Sequence, residues 1–240
     1  MITFVQRSRK ITSGFNLRDA ASEGSFLKES KSRIAEICGS YNSLPARIYA
    51  RLRFLILRKE FLDAMGQYLP RQGSILDVGC GFGLFSLYFA GEPGRNIQGF
   101  DLNPQRIAAA QSAARVLNLG NVTFSYDDAR GFASKGPLDA AFMVDIIHHI
   151  PVASARDLLE KIAASIRPGG ALIVKDIARR PAYKKWFTWI LDKAMDFRAP
   201  VHYWEVAELR TELQRHFAQV DVQSMPDILP YPHVLYVCRK

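Results

Sequence analysis

A glycine-rich turn that follows an apolar run is the first feature of this sequence that could do chemistry. The stretch ILDVGCGFGLFS, residues 75–86, carries a carboxylate at Asp77 and glycines at Gly79, Gly81 and Gly83. Glycine lets the backbone approach a ligand closely and adopt positive φ angles. The opening turn of the helix that follows offers free N–H groups. The turn is therefore a candidate ligand-binding loop.

A second carboxylate, Asp101, ends the next strand-like run, 22 positions after Gly79. In a doubly wound α/β fold, a carboxylate at this place accepts hydrogen bonds from the hydroxyls of a ribose. The dinucleotide fingerprint GxGxxG does not fit, because Leu84 or Ser86 stands where its last glycine belongs. Asp77 beside the turn also suits a cationic group, such as an ammonium, better than a pyrophosphate.

The elements that must position these residues alternate along the chain. Apolar strand-like runs and helical patterns follow one another between residues 74 and 177, which indicates a mainly parallel sheet covered by helices on both faces. Two further strand-like runs, 219–225 and 233–239, have no helix between them. They predict an antiparallel pair at the end of the sheet.

The regions outside this alternation have a different character. Residues 1–45 are weakly patterned and predict a loose arm with one helix around 27–39, and residues 46–68 predict a single long helix. An aromatic and basic insert, 178–203, predicts a helical lid. We therefore expect an N-terminal arm, partly helical or loose, followed by one domain over 46–240 that carries the lid insert.

Composition limits the class of protein and its compartment. The 240 residues carry a net charge of +9, with +7 in residues 1–60, which suits nucleic acid, an anionic membrane surface or substrate, or solubility alone. No uninterrupted apolar run reaches the roughly 18 residues of a membrane span. Cys38, Cys80 and Cys238 have no zinc or redox spacing, so we expect reduced cysteines, no metal site and a cytoplasmic protein.

The segments LDVGCGFG and GFDLN resemble the class I S-adenosylmethionine-dependent methyltransferases. The resemblance extends to SYDDAR at 125–130, LDAAFMVDIIHHIP at 138–151 and IRPGGALIV at 166–174, and covers about residues 70–177 in the family's order. It implies S-adenosyl-L-methionine as cofactor. It also implies a doubly wound, seven-stranded, mainly parallel sheet whose last strand is antiparallel and inserted between others.

The same resemblance implies roles for the residues at the first two strand ends. Asp77 and the loop Gly79–Gly83 would face the methionine part of the cofactor, and Cys80 in that loop needs to be small rather than reactive. Asp101 would bind both ribose hydroxyls, and Leu102 would pack against the adenine. For Asp101, capping of the following helix is the structural alternative.

Further along the chain, the resemblance implies contacts with the adenine and the methyl group. Asp128 would accept a hydrogen bond from the adenine amino group, with Ala129 offering backbone, although the adjacent Asp127 is an alternative binder. Val144 and Asp145 would line the site near the methyl sulfonium.

Methyl transfer from a sulfonium is an in-line displacement, so the protein mainly aligns donor and acceptor and excludes water. A base is needed only where the nucleophile must lose a proton. Histidine titrates near neutral pH, which makes His148 and His149 the candidate catalytic bases, with one of the pair open to a structural role. His202, Tyr203 and Tyr49 are weaker candidates.

The acceptor would be selected by the helix 46–68 and the insert 178–203. Aromatic and basic residues together favour an amphipathic lid over a hydrophobic acceptor, at a membrane surface. The alternative is that the apolar residues only pack the insert onto the sheet. We expect methyl transfer through O, C or N to a hydrophobic, aromatic or lipid-like small molecule, with peripheral membrane contact.

Two other functions compete with this one. The pI of about 9.6 suits an RNA methyltransferase, but the sequence VDIIHHIP after the fourth strand lacks the (N/D)PP(Y/F) stretch of the family's exocyclic-amine enzymes. No RNA-binding module is recognisable either, so a nucleic-acid partner is disfavoured. A non-catalytic scaffold that keeps the cofactor pocket is the remaining alternative.

Overall fold

The computed structural model of the chain describes residues 32–57, 59–128, 136–177, 202–225 and 233–240. Most of the predicted arm, the predicted cofactor contact Ala129 and nearly all of the predicted lid insert lie outside the described residues.

A seven-stranded sheet forms the centre of the described structure, in the order β3-β2-β1-β4-β5-β7-β6. All neighbouring strands pair in parallel except β7, which pairs antiparallel with both β5 and β6. The predicted mainly parallel sheet with an inserted antiparallel last strand is confirmed. The strands are β1 Gly73–Val78, β2 Arg95–Asp101, β3 Val122–Tyr126, β4 Leu138–Val144, β5 Ile166–Ile177, β6 Gln219–Met225 and β7 His233–Arg239.

Helices cover both faces of this sheet because its central strands are apolar on both sides. In β4, Ala140 and Phe142 pack into the core on one face, and Ala141 and Met143 pack into the core on the other. The described helices are α1 (residues 32–40), α2 Leu44–Ile56, α3 Lys59–Gly66, α4 Leu84–Phe89, α5 Pro104–Val116, α6 Val152–Ser165 and α7 Val206–Leu213, with a 3₁₀ turn at Ile147–His149. None of the described helices is long and apolar enough to cross a bilayer.

The predicted single helix over 46–68 is wrong, because the chain turns between α2 and α3. Leu57 leaves helical geometry with φ −95° and ψ 86°, and its side chain is fully buried. The turn keeps Leu57 and then Phe61 and Leu62 in the same core as Phe54. Burial of these side chains outweighs local helix propensity, and neither glycine nor proline marks the break in the sequence.

Helix α1 falls within the region predicted to hold a helix around 27–39, and the structure describes it from residue 32 to residue 40. Its side chains Ile37 and Cys38, and Tyr41 just beyond it, are buried in the core that α2 also joins. The Tyr41 hydroxyl donates to the Phe82 carbonyl at 2.7 Å. The residues before the sheet thus reach the glycine-rich loop directly.

Candidate active site

The carboxyl ends of β1, β2 and β4 border a cavity of about 540 Å³, and α2 supplies part of its wall. In open parallel sheets, ligands bind outside the carboxyl ends of the strands, at the point where the strand order changes direction. Nine of the residues predicted to bind the cofactor line the cavity: Asp77, Gly79, Cys80, Gly81, Asp101, Leu102, Asp128, Val144 and Asp145.

The three glycines of the loop all have positive φ, but only one leaves space for a ligand. A Cβ added to Gly79 would meet Ile146 at 2.4 Å, and one added to Gly83 would meet the Phe124 ring at 2.6 Å. A Cβ on Gly81, at φ 55°, would meet no protein atom within 4 Å. Gly79 and Gly83 therefore serve the packing of the loop, and Gly81 keeps the cavity open beside it.

Asp101 is buried at the end of β2 and holds the loop in place. Its Oδ2 accepts from the Gly81 N–H at 2.9 Å, and its Oδ1 accepts from the Asn103 N–H at 2.8 Å. Each carboxylate oxygen keeps a further lone pair. The cap of α5 is Asn103, whose Oδ1 accepts from the N–H groups of Gln105 and Arg106, both at 3.0 Å. Asp101 is therefore not the helix cap, and its remaining lone pairs fit the two hydroxyls of a ribose.

Asp77 is buried at the end of β1, and its Oδ2 accepts from the Ser86 hydroxyl at 2.7 Å. Burial raises the pKa of Asp77 to about 7; the Ser86 hydrogen bond opposes this shift and the nearby charge of Asp101 reinforces it. A carboxyl group that is close to half-protonated at neutral pH gains strongly from a cation placed beside it. The site fits an ammonium group, as a methionine-derived ligand would present.

An apolar surface and two acids lie at the β2–β3 end of the cavity. Leu102 is about half exposed at 53%, which is unusual for a leucine beside a pocket and fits a flat base laid against it. Asp127 and Asp128 both line the cavity, and the Asp128 N–H donates to Asp127 Oδ1 at 2.8 Å. The choice between them as the binder of an exocyclic amine stays open.

The opposite end of the cavity, at the tips of β4 and β5, holds a cluster of charges in which Lys175 is buried and Arg53 and Asp145 are partly buried. Asp145 has φ 54°, and its two carboxylate oxygens accept from Lys175 Nζ and from the Arg53 guanidinium of α2. Burial opposes ionisation of Asp145, but the charges of Lys175 and Arg53 hold its pKa well below the usual range. Burial lowers the pKa of Lys175, and Asp145 opposes that shift. Two cations therefore share one carboxylate.

The two histidines after β4 have different surroundings. His149 lines the cavity, next to Ile150. His148 is fully buried outside the cavity lining; its Nδ1 is 2.5 Å from Asp176 Oδ1, and its ring stacks on Tyr203 at 5.7 Å. Of the predicted pair, His149 is the one that can reach a ligand in the cavity.

The three weaker candidate bases are also separated by the structure. Tyr49 lines the cavity and packs against Phe82 with ring centroids 4.9 Å apart. His202 and Tyr203 are not among the described residues that line the cavity, and the His202 N–H donates to the His148 carbonyl at 2.6 Å. They support the turn that carries His148.

Sequence reasoning missed Arg53 and Lys175 as site residues. For Lys175 a signal was present, because Lys175 and Asp176 interrupt the apolar strand ALIVKDI and both are buried. Charged residues are almost never fully buried unless they are paired. Arg53 lies on a different side of the predicted helix from Arg47 and Arg51, but that position alone did not connect it with the strand ends.

Comparison with known proteins gives consistent matches. The family "Methyltransferase domain" matches residues 75–170. The 2-methyl-6-phytyl-1,4-hydroquinone methyltransferase of Synechocystis sp. is 29% identical over 172 residues, which are 68% of this chain and 47% of that protein. The ubiquinone biosynthesis O-methyltransferase of Xanthomonas axonopodis pv. citri is 27% identical over 128 residues, 52% of this chain and 51% of that protein. The chain spans about half the length of these curated relatives.

Among solved structures, magnesium protoporphyrin IX methyltransferase from Synechocystis with bound SAH superposes with a TM-score of 0.59 and 22% identity. The superposition covers 75% of this chain and 82% of that one. At this identity the likeness establishes the fold.

Proposed function

We propose that the chain, as a class I S-adenosylmethionine-dependent methyltransferase, methylates a hydroxyl oxygen of an aromatic or otherwise apolar small molecule; the match to the family "Methyltransferase domain" supports this. The observation that carries this proposal is the asymmetry of the cavity. One end presents carboxylates to a cationic nucleoside, and the other presents cations and a histidine to an acceptor.

The residues at the acidic end fit S-adenosylmethionine. Asp77 would face its ammonium group, Asp101 its ribose hydroxyls, and Leu102 with Asp127 or Asp128 its adenine. When bound, the cofactor supplies a methyl group on a sulfonium, which is already an activated leaving group. The work left to the chain is to align the acceptor, exclude water and manage one proton.

The cation-rich end supports an acceptor that reacts as an oxyanion. Arg53 lines the cavity and, with the buried Lys175, places two cationic groups at this end, both donating to Asp145. A cationic group in a site of low dielectric lowers the pKa of a nearby hydroxyl group. An imidazole nitrogen of His149 would accept the proton that this hydroxyl releases.

Aromatic side chains in the cavity support an aromatic or apolar acceptor. Tyr49 and Phe82 form a tilted pair at 4.9 Å, and Phe85 lines the same wall. Flat apolar molecules pack well against such faces. The names of the two relatives, a hydroquinone methyltransferase and a ubiquinone biosynthesis O-methyltransferase, support the same acceptor class.

The proposal is tested with a panel of phenols, hydroquinones and hydroxyquinolines incubated with S-adenosylmethionine that carries a deuterated methyl group. Mass spectrometry then reports transfer, and the fully O-methylated form of each compound is the matched control. We expect labelled products from hydroxyl-bearing members alone. Thermal stabilisation by S-adenosylhomocysteine without transfer to any member would overturn the proposal and favour the non-catalytic scaffold.

The role of His149 is tested separately. His149→Ala should lower kcat with little change in cofactor affinity, and activity should recover as pH rises, because the acceptor then ionises in solution. His216→Ala, which alters a histidine outside the described cavity lining, is the control. An unchanged kcat in His149→Ala would show that His149 is not the base.

A further inference from the structure

The outer side of α2 carries a row of exposed aliphatic side chains, here called the α2 stripe: Leu44, Ile48, Leu52 and Leu55. These four side chains are between 47% and 65% exposed. Their spacing of four, four and three residues places them on one side of the helix. The eleven steps along the helix from Leu44 to Leu55 give the stripe a length of about 16 Å.

The helix is apolar on two opposite sides, and only one of them is explained by folding. Ala46, Ala50 and Phe54 are buried against the core, while the α2 stripe is exposed. Of the seven exposed large apolar side chains in the described residues, four belong to the stripe. The other three are on different elements. Single exposed apolar residues are ordinary, whereas a contiguous row indicates a surface that binds something.

The charge of this helix indicates what the partner is. Helix α2 contains Arg47, Arg51 and Arg53 and no acidic residue. Arg53 turns into the cavity, but Arg51 is exposed and lies beside the stripe in the helical projection. Residues 1–60 carry a net charge of +7. A row of apolar residues with an exposed arginine beside it, in a basic part of the chain, fits a helix that lies in the interface of an anionic membrane.

We propose that α2 lies flat on an anionic lipid bilayer, with the α2 stripe among the acyl chains and Arg51 among the headgroups. The same helix supplies Tyr49 and Arg53 to the wall of the cavity. The bilayer is then about one helix diameter, roughly 10 Å, from the cavity. This inference goes beyond the methyl transfer proposed above and does not depend on the identity of the acceptor.

The test is flotation of the full chain with vesicles, in the absence of cofactor and acceptor. We expect the protein to float with vesicles of phosphatidylcholine mixed with phosphatidylglycerol, and to bind vesicles of phosphatidylcholine alone at least about fivefold more weakly. Added salt should weaken the binding to anionic vesicles. Failure to float with either vesicle, or equal binding to both, would overturn the proposal.

Variants identify the surface. Leu52→Ser with Leu55→Ser should weaken vesicle binding about tenfold or more, and Arg51→Gln about fivefold. Val116→Ser, which removes an equally exposed aliphatic side chain from α5, is the matched control and should bind like the unaltered chain. An unchanged affinity in the double variant, or an equal loss in the control, would overturn the assignment.

The same variants exclude protein as the cover of the stripe. Serine at two exposed positions should leave the melting temperature within a few degrees of the unaltered chain. A large drop would mean that another part of this chain covers the stripe, and a change of mass in light scattering would mean that a second copy does. Either result overturns the membrane proposal, and neither bears on whether the protein transfers methyl groups.

Discussion

The two ends of the cavity differ in how their carboxylates are paired. At the tips of β1 and β2, Asp77 and Asp101 accept hydrogen bonds from neutral groups of the chain: the Ser86 hydroxyl and two backbone N–H groups. At the tip of β4, Asp145 is bound by Lys175 and Arg53. The acidic end therefore keeps carboxylate lone pairs for a ligand, whereas the carboxylate at the cation-rich end is already bound within the protein.

The comparison separates binding residues from stabilising ones. Removing a carboxylate from the acidic end should cost affinity for the cofactor. Removing the carboxylate from the other end should cost stability, because it leaves two cations at a largely buried place without their counter-ion.

The largest effect is expected for Asp145→Asn, which should lower the free energy of unfolding by about 3–5 kcal/mol, since Lys175 is then buried beside a neutral amide. Asparagine tolerates the positive φ of this position, so the loss reports charge rather than backbone strain. Chemical denaturation measures it, with the exposed Asp221→Asn as control. A loss of less than about 1 kcal/mol would show that the cluster does not stabilise the fold.

Asp101→Ala should weaken S-adenosylhomocysteine binding about 100-fold, because two hydrogen bonds to a charged group are lost. Titration calorimetry measures the affinity, and circular dichroism checks the fold. Asp145→Asn should bind the same ligand within about fivefold of the unaltered chain, provided that it is assayed below its melting temperature. Equal losses in the two variants would erase the distinction between the two ends.

Within the acidic end, two glycines should respond differently. Gly81→Ala should lower cofactor affinity about tenfold with a stability cost of about 1 kcal/mol from its φ angle, because its methyl group enters open space. Gly83→Ala should cost more stability, since its methyl group meets the Phe124 ring. Thermal melts with and without S-adenosylhomocysteine separate the two losses. A reversed pattern would contradict the placement of the ligand beside Gly81.

The smallest effect is the pH dependence of binding that Asp77 introduces. Because burial raises its pKa to about 7, affinity for S-adenosylhomocysteine should fall as pH drops below about 7, by at most about tenfold per pH unit. Calorimetry from about pH 8 to about pH 6 measures this. Asp77→Asn is the matched control, with an affinity that is low and independent of pH. If the affinity of the unaltered chain does not change with pH, Asp77 does not bind the ammonium group.

The two carboxylates should also affect stability with opposite signs. The folded chain holds the Asp77 proton more tightly than the unfolded chain, so this group lowers stability as pH rises from about 4 to about 7. Asp145 has a depressed pKa, so its contribution is complete above about pH 4 and is lost as pH falls below that. The free energy of unfolding is measured against pH for the ligand-free chain and for Asp77→Asn and Asp145→Asn. The difference between each variant and the unaltered chain gives the contribution of that carboxylate.

The acidic end could be predicted from the sequence because its parts are local. Asp77, the glycines and Asp101 lie within two consecutive strand–turn units, where spacing alone determines which residues meet. Arg53, Asp145 and Lys175 come from three separated segments, and their contact depends on how α2 packs over the sheet. No local pattern encodes that packing.

The break between α2 and α3 was unpredictable for the same reason. The sequence from Ala46 to Tyr68 is apolar enough for one helix, and Leu57 leaves it only because the core receives its side chain there. The strands and the antiparallel pair at the end of the sheet could be predicted. Apolar strand-like runs, and the lack of a helical pattern between the last two, are visible in short stretches of sequence.

The inserted position of β7 has a consequence for how the protein folds. Strand β6 pairs with β7 and with no other strand of the described sheet, so it joins the rest of the sheet only through β7. Docking of β7 beside β5 requires loop closure over a long stretch of chain, which is slow. In pulsed hydrogen exchange during refolding, we expect the amides of β6 to become protected no earlier than those of β7.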